Sequence, residues 1–124
     1  MTKLAVIVVD HGSKLQESNR LFESFIEEFA DESPYDIVES AHMELAQPDI
    51  ASAFQQCVEQ GADEIVVVPY FFMPGKHIQK DIPRLTEEAR ARHPHVSVRI
   101  APPLGRHPLM KTILSDQVNS TRQP

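Results

Sequence analysis

An α/β fold, a four-stranded parallel sheet with helices on both faces, is predicted by three features of this 124-residue chain. Apolar runs rich in β-branched residues alternate with segments whose apolar residues recur at helical spacing. The alternation repeats as strand then helix four times. Each connecting segment is long enough to carry the chain back to a parallel strand, and such crossovers are right-handed.

Residues 4–9, LAVIVV, form a continuous apolar run suited to a strand buried on both faces. Gly12 and Ser13 end it. Ser13 is placed as the N-cap of a helix over residues 14–29, in which Leu21, Phe22, Phe25, Ile26 and Phe29 share a face. Residues 31–34 break that helix, and a weaker second strand covers residues 35–43. Pro48 is placed in the first turn of a second helix that carries Ile50, Phe54, Cys57 and Val58 and stops at Gly61. The strongest strand signal is EIVVVPYFF, residues 64–72. After Pro74 and Gly75 comes a third helix, near whose start Pro83 must sit unless it kinks the helix. A fourth strand over residues 96–101 and a last helix over residues 108–118 complete the order, and a polar tail follows.

A hydrophobic content of 41% and a charged content of 24% are ordinary for a folded chain, and with no linker or repeat, residues 1–124 read as one domain. The net charge of −6, without a block of like charges, argues against a nucleic-acid groove. Nowhere do 18 apolar residues run together, and residues 4–9 are too short for a signal peptide, so no membrane partner and a cytoplasmic location are expected. Cys57, the only cysteine, has no partner for an internal disulfide and is too few for a thiolate metal cage; it reads as a core residue.

In open parallel sheets, ligands collect outside the carboxyl ends of the strands. His11 follows the first strand, Glu44 the second, His77 the third, and Arg106 with His107 the fourth. His11, Glu44 and His77 are spaced 33 residues apart, about one strand–helix unit, so all three project from one edge. Two imidazoles and a carboxylate suit Fe²⁺, Co²⁺, Ni²⁺ or Zn²⁺ with coordination positions left open.

Each residue also has an ordinary role. His11 could bond a loop carbonyl, Glu44 could be a solvated loop acid, and His77 a polar residue of a helix's first turn, although an imidazolium there opposes the helix dipole. Their joint placement favours a site. His42, two residues before Glu44, is a reserve ligand, whereas His93, His95 and His107 read as surface or turn residues. Gly12 and Ser13 could seat an anion at a helix N-terminus, but the chain lacks both G-x-G-x-x-G and the P-loop pattern. Phe72 and Met73 extend past the third strand and offer an apolar wall to a planar ligand, with core packing as the competing reading. Lys14, Lys76, Lys80, Arg84 and Arg106 lie near the same loops, where they either meet substrate carboxylates or are simply solvated.

The stretches VDHGSK, MELAQPDI and PYFFMPGKHIQKDIP together resemble the small CbiX/SirB family of class II chelatases, across essentially the whole chain. That resemblance implies a chelatase-like fold, a flavodoxin-like wound half, and insertion of a divalent ion into sirohydrochlorin for sirohaem or cobalamin. It implies His11 and His77 as the catalytic, metal-contacting pair and Glu44 as a further ligand. Ser13, Phe72, Met73, Lys76 and Arg106 are then placed against the tetrapyrrole. No tightly bound cofactor is implied: the ion, Co²⁺, Fe²⁺ or Ni²⁺, is a substrate. Half-length members of the family form homodimers, so pairing of two chains is also expected. The iron–sulfur and histidine-rich segments of some relatives are absent.

The chemistry agrees on independent grounds. Metal insertion must remove two pyrrole protons, and an imidazole with a pKa near neutrality is a suitable base. A metal that is handed over must also leave, which favours His and Glu over thiolates. Two rivals use the same residues: a metal or tetrapyrrole carrier without turnover, and a phosphatase with His11 as nucleophile, for which Asp10 is an unfavourable neighbour.

Overall fold

The computed structural model describes residues 2–122. Strands β1 (Leu4–Asp10), β2 (Ile37–His42), β3 (Glu64–Pro69) and β4 (Ser97–Ile100) alternate with helices α1 (Gln16–Glu32), α2 (Ile50–Glu59), α3 (Lys76–Ala91) and α4 (Leu109–Ser120), and a 3₁₀ turn, Leu104–Arg106, precedes the last helix. The strands form one parallel sheet in the order β2-β1-β3-β4. This is the predicted fold class and element order.

Alternation of side chains along the strands divides the interior. Ala5, Ile7 and Val9 of β1, with Ile65 and Val67 of β3, meet Ile50, Phe54 and Cys57 of α2 and Ile82 and Ala89 of α3. On the opposite face, Val6 and Val8 meet Ile26 of α1, with Phe22, Phe29 and Tyr70 packed around them. Central β1 is therefore covered on both sides, which is why its sequence is apolar without alternation. Cys57 lies in the larger core, where burial, then the Glu39 carboxylate, pushes its thiol up to about 12.

From β1 the chain turns over the face covered by α1; from the adjacent β3 it turns over the face covered by α3. The winding reverses between these two strands, and their carboxyl ends form the crevice where such sheets bind ligands.

Several boundaries differ from expectation for local reasons. Helix α1 starts at Gln16, because Ser13 shapes the preceding loop instead of capping it. The buried Asn19 amide brackets Ser13: Ser13 N donates to Asn19 Oδ1 (3.0 Å) and Asn19 Nδ2 donates to the Ser13 carbonyl (2.8 Å). Leu15 N donates to Ser13 Oγ (3.0 Å). Pro48 lies outside α2, whose N-cap is Asp49; Ser52 N donates to Asp49 Oδ1 at 2.9 Å. Strand β3 ends at Pro69, since Phe71 turns away to accept from Gly105 N at 3.2 Å. Pro83 falls inside α3, which continues through it without the backbone bond that would run to Gln79.

Candidate active site

The end of β1 is joined to the loop after β2 by backbone contacts that prolong the parallel ladder. Met43 N donates to the Asp10 carbonyl (2.8 Å), and Glu44 N donates to the His11 carbonyl (3.0 Å). Gly12 makes this approach possible. Its φ is +93°, and a Cβ there would lie 1.9 Å from the Glu44 carbonyl oxygen.

These constraints bring two predicted ligands together: His11 Nε2 lies 3.0 Å from Glu44 Oε1, with the two side chains 44% and 56% exposed. His11 Nδ1 donates to the Gly12 carbonyl at 3.0 Å. The Gly12 carbonyl and the Glu44 carboxylate both only accept, so both ring nitrogens donate in this arrangement, and an ion that takes the place of the Nε2 proton meets Nε2 and Oε1 in the same solvent-open space. Adjacent ligands of an octahedral ion, each about 2.1 Å from it, stand about 3.0 Å apart. An ion can thus enter between these atoms with little rearrangement.

His77 is the second residue of α3 and is exposed. Among the described residues, no three His, Cys, Asp or Glu side chains are close enough to hold a metal ion. His11 and Glu44 are paired, whereas His77 stands apart on the first turn of the helix that follows the neighbouring strand. Phe72 and Met73 are 57% and 82% exposed beyond the end of β3, as an apolar wall requires. Their loop is held from below by Gly105, where a Cβ would sit 1.7 Å from the Phe72 carbonyl oxygen. Lys76 opens α3 and is exposed; Arg106 is exposed at the end of the 3₁₀ turn and edges a cleft of about 210 Å³ lined by Phe71, Ile78, Ile82 and Ile100. Ser13 borders a separate hollow with Lys14, Arg20 and Gln47.

His42 is not a reserve ligand. Its ring is fully buried, with Nδ1 2.7 Å from Asp10 Oδ1 and Nε2 2.6 Å from Glu23 Oε2. Carboxylates only accept, so both ring nitrogens donate and neither is free for a metal. Burial opposes the charge, but the hydrogen bonds to Glu23 and Asp10 outweigh it and raise the pKa above 6.5. The available signal in the sequence was polar: Asn19 and Glu23 fall on the stripe of α1 that also carries Ile26. Of the other histidines, His93 stacks on Phe54 with ring centroids 5.5 Å apart, His107 Nδ1 accepts from Leu109 N at 3.1 Å, and His95 is exposed.

A family model described as CbiX matches residues 5–121. The chloroplastic sirohydrochlorin ferrochelatase of Arabidopsis thaliana is 46% identical over 113 residues, which are 91% of this chain and 50% of that protein. The sirohydrochlorin cobaltochelatase of Saccharolobus solfataricus is 33% identical over 124 residues, 95% of each chain. Among solved structures, SirB from Bacillus subtilis with Fe³⁺ has a TM-score of 0.89 at 27% identity, covering 99% of this chain and 49% of that one. The putative cobalamin biosynthesis CbiX protein from Marinobacter aquaeolei has a TM-score of 0.83 at 30% identity, covering 95% of this chain and 96% of that one. The chain therefore spans about half the length of the ferrochelatase relatives from Arabidopsis thaliana and Priestia megaterium and nearly the full length of the Saccharolobus solfataricus cobaltochelatase.

Proposed function

The chain belongs to the CbiX family, and from that membership we propose that it inserts a divalent metal ion, Co²⁺ or Fe²⁺ with Ni²⁺ as a further substrate, into sirohydrochlorin. The observation that carries this reading is the His11–Glu44 pair, two donor atoms 3.0 Å apart and open to solvent at the crevice of a parallel sheet. His11 and Glu44 receive the ion, and His77 approaches from the neighbouring helix start as the macrocycle closes over them. Two pyrrole N–H protons must leave as the ion enters; an imidazole of His11 or His77 accepts them and returns them to water. The Phe72 and Met73 side chains contact the face of the macrocycle. Lys76 and Arg106, with the Ser13 loop, meet its peripheral carboxylates.

The active form is a homodimer in which the second copy supplies the other wall of the cleft. One observation supports this: α4 exposes Leu109, Ile113, Leu114 and Val118 while burying none of its residues. Cytoplasmic residence accords with a lone, buried, unreactive Cys57. Phosphoryl transfer from His11 is disfavoured because its Nε2 faces a carboxylate, not the arginines that phosphoryl charge requires.

Anaerobic mixing of sirohydrochlorin and Co²⁺ or Fe²⁺ with substoichiometric protein tests the reading by absorbance. Many equivalents of metallated product per chain mark a catalyst. One equivalent marks a carrier, and none removes the proposal.

A further inference from the structure

Beneath the His11–Glu44 pair lies a polar cluster that the proposed chemistry does not use. His42 is wholly buried between Asp10 of β1 and Glu23 of α1, at 2.7 and 2.6 Å, with the Phe22 ring 5.8 Å away. Burying a histidine ring between two partly buried carboxylates costs desolvation energy that apolar residues of similar volume avoid, so stability alone does not account for these three residues. Their location does. Asp10 directly precedes His11, His42 lies two residues before Glu44, and the two backbones are joined by Met43 N to Asp10 O and Glu44 N to His11 O. Asp10 and His42 are also register partners across the sheet. The cluster thus grips both chain segments that present the ion-binding atoms, and it ties them to a third element, α1.

We propose that His42 and Glu23 are positioning residues, which hold the carboxyl ends of β1 and β2 so that His11 and Glu44 stay at ion-binding separation. The proposal rests on the reading that His11 and Glu44 receive the ion. Both are half-exposed side chains on loops, and an ion site requires its ligands to be placed within a few tenths of an ångström. Charge-assisted hydrogen bonds this short, made by a fully buried ring, add to the backbone bonds that brace these two segments. Neither His42 nor Glu23 touches ion or macrocycle; both act through backbone.

Glu23→Gln keeps the shape and removes the charged acceptor. Co²⁺ binding and steady-state insertion are measured for the full chain, for Glu23→Gln, and for His11→Ala as the reference for a lost ligand. Loss of such supporting partners lowers metal affinity by about 10- to 100-fold. The expected result is a Co²⁺ dissociation constant and an apparent KM for metal raised by that factor, with the KM for sirohydrochlorin within about twofold of wild type. A merely structural role would lower the folded fraction and leave both KM values unchanged. Should Glu23→Gln not fold, Glu23→Asp, which retains the charge and shortens the reach, is put through the same comparison. Unchanged Co²⁺ affinity in a folded variant, while His11→Ala loses binding, overturns the positioning role alone. Unchanged affinity in His11→Ala overturns the ion site and the positioning role together.

Discussion

His11 Nε2 and Glu44 Oε1 lie 3.0 Å apart, although 33 residues separate them and neither belongs to a regular element. The contact exists because two parallel strands carry their hydrogen-bond ladder one step past the end of the sheet. Since both side chains are about half exposed, their removal should spare the fold.

Replacement of His11 by Ala should lower kcat/KM for metal insertion by about 10²–10⁴, the range for loss of a positioned proton acceptor. Glu44→Gln should raise the apparent KM for metal at least about tenfold, the factor for ~1.4 kcal/mol of lost ion contact. Urea midpoints of both variants should match wild type. Coincident loss of activity and stability would mean that the pair is structural.

At Gly12, alanine meets two penalties. A φ of +93° disfavours any side chain, and the added Cβ would overlap the Glu44 carbonyl at 1.9 Å. Gly12→Ala should therefore destabilise by more than about 1 kcal/mol and abolish insertion, because the Glu44 loop must retreat from His11. Thermal unfolding together with the insertion assay measures both effects.

The buried His42 makes stability depend on pH. Its folded pKa is raised above 6.5 despite the opposing effect of burial, because Glu23 and Asp10 accept from the charged ring. A raised folded value means stabilisation that is full below the unfolded pKa and is lost as pH climbs through the folded one. Urea midpoints measured from pH 6 upward should fall more steeply for wild type than for His42→Phe. Parallel curves would contradict the charged state of the ring.

Phe72 and Met73 bury little of themselves in the chain, so Phe72→Ala and Met73→Ala should shift stability by less than about 0.5 kcal/mol. Each should raise the KM for sirohydrochlorin about fivefold, from about 1 kcal/mol of lost apolar contact, and leave the KM for metal unchanged. Steady-state kinetics with each substrate varied in turn makes the separation.

Much of this arrangement was legible in the sequence because it depends on short-range pattern. The uninterrupted apolar run of β1 marks a strand buried on both faces, the run of β3 marks its neighbour, and helix-length connections impose parallel order; together these place His11, Glu44 and His77 at one edge. What periodicity does not encode is which loops touch. The meeting of His11 with Glu44 depends on Gly12 allowing two backbones to overlap, and the separation of His77 depends on how residues 70–75 leave the sheet. Ser13 resembles a helix cap in sequence, yet the buried Asn19 six residues later captures its backbone. His42 resembles a free ligand until the register sets it opposite Asp10 and the packing of α1 brings in Glu23. In each case the deciding partner is distant along the chain or hidden by the face on which it falls.

Anomalous diffraction at the cobalt edge from crystals of the full chain soaked in Co²⁺ tests the central claim most directly. The account predicts a peak about 2.1 Å from both His11 Nε2 and Glu44 Oε1, which remain neighbours on either side of the ion. Cobalt bound elsewhere, with His11 and Glu44 still joined to each other at hydrogen-bond distance, would contradict it.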